Sequence, residues 1–189
     1  MPGKTSTDVV LSDLGTRVFL VDANMKFDTT PKAIEGMKEL EDIISIDNLG
    51  YTRDTADYPI LANGGYPKKA LLSYSVDDLS MTLVRSEQGA YNDGSTFWML
   101  NQMLESYKVN KAFKGLIVCR PVANVESEAD AFEARYYTVA CTGIEDGATN
   151  DTGREYTCTL LRSGKPIDLT VEYTESPEAF KFALKGASA

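Results

Sequence analysis

Histidine is absent from the 189-residue sequence. It is the commonest general base, a member of the usual Ser-His-Asp triads and a ligand in most catalytic zinc sites, so its absence argues against all three. Carboxylate pairs remain, and Asp77-Asp78 is the most obvious pair. Adjacent residues of a strand point to opposite faces, so these carboxylates would not share a proton. We therefore expect a protein that is not an enzyme and needs no cofactor or metal.

Cysteines and long apolar runs are also scarce. The only three cysteines, Cys119, Cys141 and Cys158, lie far apart in apolar, strand-like stretches. This pattern favours buried, reduced thiols in a cytoplasmic product. The first residues lack the apolar region of a signal peptide, and no apolar run approaches the roughly 20 residues that span a bilayer. We therefore expect no membrane anchoring.

Basic residues are outnumbered, with 19 Lys and Arg against 28 Asp and Glu, for a net charge of −9. A surface that grips nucleic acid needs clustered Lys and Arg, so this balance disfavours such a surface. It is compatible with a surface along which nucleic acid passes without adhering. An acidic balance is also the commonest state of an ordinary soluble protein.

The stretch from Ser73 to Arg85 predicts a strand with one buried face. Leu79, Met81 and Leu83 alternate with polar residues, which is the period-two pattern of a half-buried strand. The preceding residues alternate in a different phase. One extra residue at Asp77-Asp78 would restore the phase, which predicts a β-bulge there.

One principal helix is predicted after a Gly-rich turn. Ser95 can cap it, because a serine hydroxyl accepts a hydrogen bond from a free N–H of the first helical turn. Phe97, Leu100, Leu104 and Tyr107 follow at three- and four-residue spacing and predict one apolar stripe.

The remaining segments are mostly strand-like. Strands are predicted at 17–22, 40–49, 113–120, 132–144 and 154–162, with a turn at 145–153, a break at 163–166, a last strand or extended arm at 167–173 and a short helix from 176 to 184. The sequence therefore predicts a mainly β (α+β) fold, a β-sandwich or barrel of six to seven strands with one flanking helix.

A long inter-strand loop is predicted over residues 50–69. Pro59 and Pro67 remove backbone donors and discourage pairing with a sheet. The tyrosines and the Ile-Leu pair of this segment are uncommon in disordered chains, and tyrosine is favoured at interfaces. Two interpretations remain open, an Ω-loop folded onto its own domain and a contact with another subunit.

The order of these elements resembles the major tail tube proteins of long-tailed bacteriophages, whose fold is shared with contractile tails and type VI secretion tubes. The likeness covers residues 15–175. It includes the strand around Ser75–Leu83, the helix after a Gly-rich turn, the long strand that ends at Thr142–Ile144 and the ending Leu161–Ile167 with its Ser-Gly-Lys-Pro. It implies an N-terminal arm (1–14), a tail-tube β-sandwich domain (15–166, with loop 50–69) and a C-terminal arm (167–189).

The resemblance also implies a function and partners. Such subunits form hexameric rings that stack into the phage tail tube, the conduit for DNA ejection. The expected partners are other copies of the chain, a tape-measure protein, a tail terminator and tail-tip or baseplate proteins, while viral DNA only passes through. The expected location is the virion tail, assembled in the host bacterial cytoplasm.

Candidate contact residues between subunits or rings are the apolar and aromatic residues of the arms and the loop. They are Val9, Val10, Leu11, Tyr51, Tyr58, Pro59, Ile60, Leu61, Tyr66, Ile167, Leu169, Val171 and Tyr173. Candidates for the lumen surface are Asp77, Ser80 and Thr82.

Three alternatives remain open. The chain is a tube subunit of a contractile injection or secretion system, a cytoplasmic β-barrel that binds a small apolar ligand, or a carboxylate-dependent glycosidase. The second would need a cavity lined by aromatics such as Phe132, Tyr136 and Tyr156. The third is disfavoured because no facing acid pair is evident.

Overall fold

The computed structural model describes residues 15–50, 52–59, 67–75, 77–85, 94–122, 131–150 and 153–186. Side chains are described in the same ranges except at 52–59, 67–75, 85, 148–150 and 153. The polar segment 123–130 and the termini lie outside these ranges.

Ten strands and one helix make up the regular structure of the described residues. They are β1 Arg17–Asp22, β2 Lys38–Glu39, β3 Ile43–Asp47, β4 Thr52–Pro59, β5 Pro67–Ser75, β6 Leu79–Arg85, α1 Thr96–Asn110, β7 Lys114–Pro121, β8 Phe132–Asn150, β9 Gly153–Glu175 and β10 Glu178–Leu184. The predicted mainly β fold with one principal helix is confirmed, with more strands than expected.

Eight of the strands form one antiparallel sheet in the order β2-β1-β7-β8-β9-β6-β3, and β10 also pairs with β9. The first half of β9 pairs with β6 and its last part pairs with β10. Strand β8 runs along the other edge of β9. The two long strands therefore join two ends of the sheet, one built around β1 and β7 and the other around β6 and β3.

The sheet has an apolar core on each side. The helix-side core contains Val18, Leu40, Leu49, Leu79, Met81, Leu83, Met99, Leu100, Met103, Leu104, Leu116, Val118, Tyr137, Val139, Cys141, Tyr156, Cys158 and Leu160. The β10-side core contains Phe19, Val21, Ile117, Cys119, Ala131, Phe132, Ala134, Tyr136, Leu169, Val171, Tyr173, Phe180 and Phe182. Strands β1 and β7 contribute alternate residues to both cores, as the period of a strand requires. Strand β8 contributes to the β10-side core up to Tyr136 and to the helix-side core from Tyr137.

The sheet curls so that β10 lies against β1. The rings of Phe19 and Phe180 lie 5.0 Å apart, and the ring of Phe182 lies 6.2 Å from that of Phe19. At the same corner, the guanidinium of Arg17 forms salt bridges with Glu39 and Glu178, which links β1 to β2 and β10.

Helix α1 begins where the sequence predicts. The Ser95 hydroxyl accepts a hydrogen bond from the Trp98 N–H at 3.2 Å. The predicted apolar stripe is displaced by one residue, because Phe97 and Tyr107 are only partly buried. The buried face consists of Thr96, Met99, Leu100, Met103 and Leu104.

Three predictions for the C-terminal third were wrong. Strand β8 continues through residues 145–150, which were predicted to form a turn. Strand β9 continues through Ser163–Pro166, which were predicted to break the chain. Residues 178–184 form β10 instead of a helix. The residues assigned to a C-terminal arm, 167–175 and 178–184, are thus strands of the main sheet.

The long loop was also predicted wrongly. Residues 52–59 and 67–75 pair as a two-stranded antiparallel hairpin, separate from the main sheet. Pro59 and Pro67 face each other at the distal end of this pairing, where missing donors cost least. Strands β5 and β6 belong to different sheets, so Asp77-Asp78 separates two strands and is not a bulge within one.

Candidate assembly surfaces

One face of the sheet, between β3 and the end of β8, is lined by hydroxyl side chains. Leu79, Met81 and Leu83 point into the helix-side core, so the alternate residues of β6 point the other way. Cross-strand pairing extends this row across three strands, because directly opposite residues share a face. We call it the hydroxyl face; its members are Ser45, Ser80, Thr82, Thr157 and Thr159.

Acidic side chains lie beside these hydroxyls. Asp47 pairs with Ser80, and Glu145 pairs with Thr157. Both acids are exposed, whereas the hydroxyl residues of β6 and β9 are half-buried. The hydroxyl face therefore combines short polar side chains with negative charge, and the half-buried Val84 lies on the same side of β6. The structure confirms that Ser80 and Thr82 share a face opposite the core.

Among the described residues, β3 is the last strand of the sheet at this end. An edge strand presents unpaired N–H and C=O groups that can pair with another chain. Ile44 is 55% exposed, and the register of β3 against β6 shifts between Ile43 and Ser45. Acidic Glu41 and Asp47 lie at the two ends of the strand. The β3 edge is therefore an accessible pairing site with an apolar residue at its centre.

The β4–β5 hairpin is fixed at its base by Arg162, which the sequence reading did not select. This side chain is 6% exposed. Its Nε donates to the carbonyl of Asp77 at 2.6 Å and its Nη1 donates to the carbonyl of Gly50 at 2.8 Å. These carbonyls belong to the segments that leave and enter the hairpin. The arrangement is detectable by parity, because Arg162 follows Cys158 and Leu160 on the inward-facing side of β9.

Two neighbouring contacts reinforce the base of the hairpin. The Tyr137 hydroxyl donates to the carbonyl of Leu49 at 2.9 Å, and the Asn48 side-chain amide donates to the carbonyl of Asp78 at 3.0 Å. Burial is the main cause that raises the pKa of Tyr137, so its phenol stays a neutral donor. The guanidinium of Arg162 lies 5.9 Å from the centre of the Tyr137 ring.

A cleft of about 270 Å³ lies between α1, β1 and the segment before β2. Leu20, Met99 and Met103 are among its apolar lining, with Trp98 at one side. Phe132 and Tyr136 lie in the β10-side core and Tyr156 lies in the helix-side core. The three aromatics named as examples for a ligand-binding barrel therefore lie in two different cores.

The three thiols are free and buried, as predicted. Burial raises the pKa of Cys119 and Cys158 from 9.0 to about 12 and that of Cys141 to about 11. A thiol with such a pKa is a poor nucleophile at neutral pH. Among the residues that the structure describes, no group of three or more His, Cys, Asp or Glu side chains is placed to hold a metal ion.

The predicted contact residues have several outcomes. Leu169, Val171 and Tyr173 are at most 5% exposed and pack in the chain's own β10-side core, so they are not surface residues. Ile167 is partly buried against the same core. The residues that lie outside the described ranges are Val9, Val10, Leu11, Tyr51, Ile60, Leu61 and Tyr66.

The remaining candidates lie at or near the hairpin. Tyr58 and Pro59 form the end of β4, where the structure describes only the backbone. Asp77 is exposed, and its carbonyl is bound by Arg162. No described helix is long and apolar enough to cross a bilayer.

Comparison with known proteins identifies the fold. No protein-family model matches the chain, and no curated protein matches it. A chain of the anti-feeding prophage baseplate matches with a TM-score of 0.52 at 7% identity, over 88% of this chain and 96% of that one. A chain of the anti-feeding prophage tube-terminating cap matches with a TM-score of 0.52 at 12% identity, over 82% and 87% of the two chains.

A third match comes from an extracellular contractile injection system. A chain of the PVC sheath-tube complex in its extended state matches with a TM-score of 0.51 at 14% identity, over 89% of this chain and 100% of that one. At these identities the likeness concerns the fold alone. The chain therefore has a tail-tube-like fold, shared with components of contractile injection assemblies.

Proposed function

We propose that the chain is a structural subunit that polymerises as stacked hexameric rings into a phage tail tube, the conduit for DNA ejection. The observation that carries this proposal is the fold, which matches a PVC sheath-tube chain over that chain's whole length. Components of contractile injection systems have this fold too. The passage of DNA through the tube is therefore proposed together with the structural role. The role is structural and needs no catalytic group.

The hydroxyl face supports a lumen surface. Carboxylates repel a phosphate backbone, and neutral hydroxyls lack the strong attraction that clustered Lys and Arg exert on it. Ser80 and Thr82 lie on this face, and Asp47 and Glu145 give it negative charge. DNA would slide along such a surface instead of adhering.

The β3 edge supports closure of the ring. A heterologous interface forms a closed ring when the rotation between neighbouring subunits brings the last subunit back to the first. Such rings can then stack along their common axis. Pairing of the β3 edge with the sheet of a neighbouring subunit would bury Ile44 and satisfy the free backbone groups. The hairpin, and residues 1–14, are the proposed contacts to the next ring. A tape-measure protein, a tail terminator and tail-tip or baseplate proteins are the proposed partners in a virion tail.

Electron microscopy of the purified, concentrated protein tests this proposal. We expect rings or hollow tubes whose channel admits duplex DNA, with mass measurements that give the number of subunits per ring. Monomers at every concentration, also after addition of preformed tube ends, would contradict it. Ile44→Lys is the edge variant, because Ile44 is 55% exposed in the single chain, so a charge there should block ring closure while the monomer stays folded.

A further inference from the structure

Arg162 binds both ends of the base of the hairpin. The two-stranded hairpin is separate from the eight-stranded sheet. Two-stranded hairpins are at best marginally stable on their own in water, so their order depends on what holds their ends. Here one guanidinium donates to both ends, to the carbonyl of Gly50 on the entering side and to that of Asp77 on the leaving side. The neighbouring carbonyls of Leu49 and Asp78 accept from Tyr137 and Asn48.

We propose that Arg162 is a positioning residue that fixes the direction of the β4–β5 hairpin and thereby prepares it to dock on a second copy of the chain. The docking half of this statement rests on the proposed function. The positioning half rests only on the contacts of Arg162 within one chain.

The chemistry of the side chain suits this role. A guanidinium has five N–H donors in a rigid planar fork, so one side chain can bind two carbonyls at a fixed separation. A buried charge that loses such partners is costly, so the two carbonyls and the guanidinium hold one another in place. In the part of the chain that the structure describes, Arg162 bonds to backbone carbonyls and is not paired with a carboxylate.

The position of Arg162 in the sheet explains how the direction of the hairpin is fixed relative to the two long strands. The residue lies on β9 and pairs with Val139 of β8. Tyr137 of β8 also holds the entering segment through the Leu49 carbonyl. The base of the hairpin is thus tied to both long strands, which are the strands that join the two ends of the sheet.

Hydrogen exchange on the dilute, unassembled chain tests the positioning half. In Arg162→Met we expect the amides of 52–59 and 67–75 to lose protection by about tenfold or more, because a hydrogen bond to a charged group is lost at each end of the hairpin. The amides of β1 and β7 should keep their protection. Arg154→Met is the matched control, since Arg154 lies on the same strand but is exposed and paired with Asp146.

Two milder variants separate positioning from general stability. Arg162→Lys keeps the charge but not the fork, so it should restore only part of the protection in the hairpin. Tyr137→Phe removes one tie and should give a smaller loss, confined to the hairpin. An unchanged hairpin in Arg162→Met, or an equal loss of protection in the hairpin and in β7, would overturn the positioning role.

Assembly of the same variants tests the docking half. If the wild-type chain forms tubes, Arg162→Met should form isolated rings or much shorter tubes, while Arg154→Met should form tubes of normal length. Normal tubes from a variant whose hairpin has lost protection would overturn the docking role. Failure of the wild-type chain to assemble would overturn the proposed function and leave the exchange result as a separate test of the positioning role.

Discussion

In the part of the chain that the structure describes, the two ends of the main sheet differ in how many of their faces are covered. At the end built from β1 and β7, both faces are buried, with Val18 and Val118 in the helix-side core and Phe19 and Ile117 in the β10-side core. At the end built from β3 and β6, one face packs against the helix-side core and the other is the hydroxyl face. The same long strands, β8 and β9, run through both ends.

This difference separates residues that hold the fold from residues that are free to serve an interface. A strand buried on both faces reads as a continuous apolar run, and β7 with Leu116–Cys119 is such a run. A strand with one open face alternates, as β6 does. Substitutions should therefore reduce stability on either face at the first end, but at the second end only on the face that packs against the helix-side core.

The largest expected effect is at the doubly covered end. Phe182 is 2% exposed and contacts the ring of Phe19. Phe182→Ala should lower the free energy of unfolding by about 3–5 kcal/mol, because it leaves a cavity that the surrounding residues cannot fill. Leu184→Ala is the control on the same strand, since Leu184 is 39% exposed. Urea unfolding of both variants measures the contrast, and equal losses would contradict the assignment of β10 to a core.

A smaller contrast is expected between two glycines. A Cβ on Gly115 of β7 would lie 2.5 Å from the Tyr136 ring and 2.6 Å from the Asp22 carbonyl, whereas a Cβ on Gly143 of β8 meets nothing within 4 Å. Gly115→Ala should lower the free energy of unfolding by about 1–3 kcal/mol through overpacking. Gly143→Ala should change it by about 0.5 kcal/mol or less. Thermal denaturation of the pair measures this, and a Gly143→Ala variant that is the less stable of the two would break the comparison.

A pH-dependent effect is expected from the thiols, which lie in both cores. Each thiol has a pKa raised by burial above its ordinary value of 9.0, so the unfolded chain ionises first as the pH rises. Stability from this source is complete below pH 9 and is lost between pH 9 and about 12. Unfolding midpoints measured from pH 7 to pH 10.5 should fall over the upper part of that range.

Thiol labelling sharpens the comparison further. At pH 8 the folded chain should react slowly with an aromatic disulfide reagent. Cys141 and Cys158 lie at the end with one open face and should be modified before Cys119, which lies at the doubly covered end. Peptide mass mapping identifies which thiol is modified first. If it is Cys119, the doubly covered end opens more readily than the other end.

Local sequence patterns predicted the parts of the fold in which the spacing of apolar residues is regular along the whole element. The alternation of Leu79, Met81 and Leu83 predicted both the buried face of β6 and the opposite face that carries Ser80 and Thr82. The hydroxyl capping of α1 followed from Ser95 alone. These features depend on residues close in sequence, so a single chain is sufficient to identify them.

The features that were missed depend on pairing between distant residues. Tyr136 pairs with Ile167 and Thr138 pairs with Ser163, so β9 accommodates two extra residues opposite β8. Gly164, whose φ is +78°, lies within this irregularity. Strand β9 therefore continues where its sequence suggests a break. The strand β10 was missed for a local reason, because Pro177 was read as a helix start although Phe180 and Phe182 have the period of a strand.

Arg162 was missed as a functional residue because its importance lies in two carbonyls that are 85 and 112 residues away. Parity places it on the inward face of β9, but it does not identify the partners. The hairpin was missed because its two prolines were taken as barriers to pairing, whereas they lie opposite each other at its distal end.

The length of β9 has a mechanical consequence. This strand is bonded to β8 along one edge and to β6 and β10 along the other, so a pull along its axis is opposed in shear by hydrogen bonds on both sides. Arg162 attaches the hairpin to this strand. A pull on the hairpin would therefore act on β9 through Arg162 as well as on β3 and β6 through the covalent chain, and the hydrogen bonds on both sides of β9 would resist its displacement.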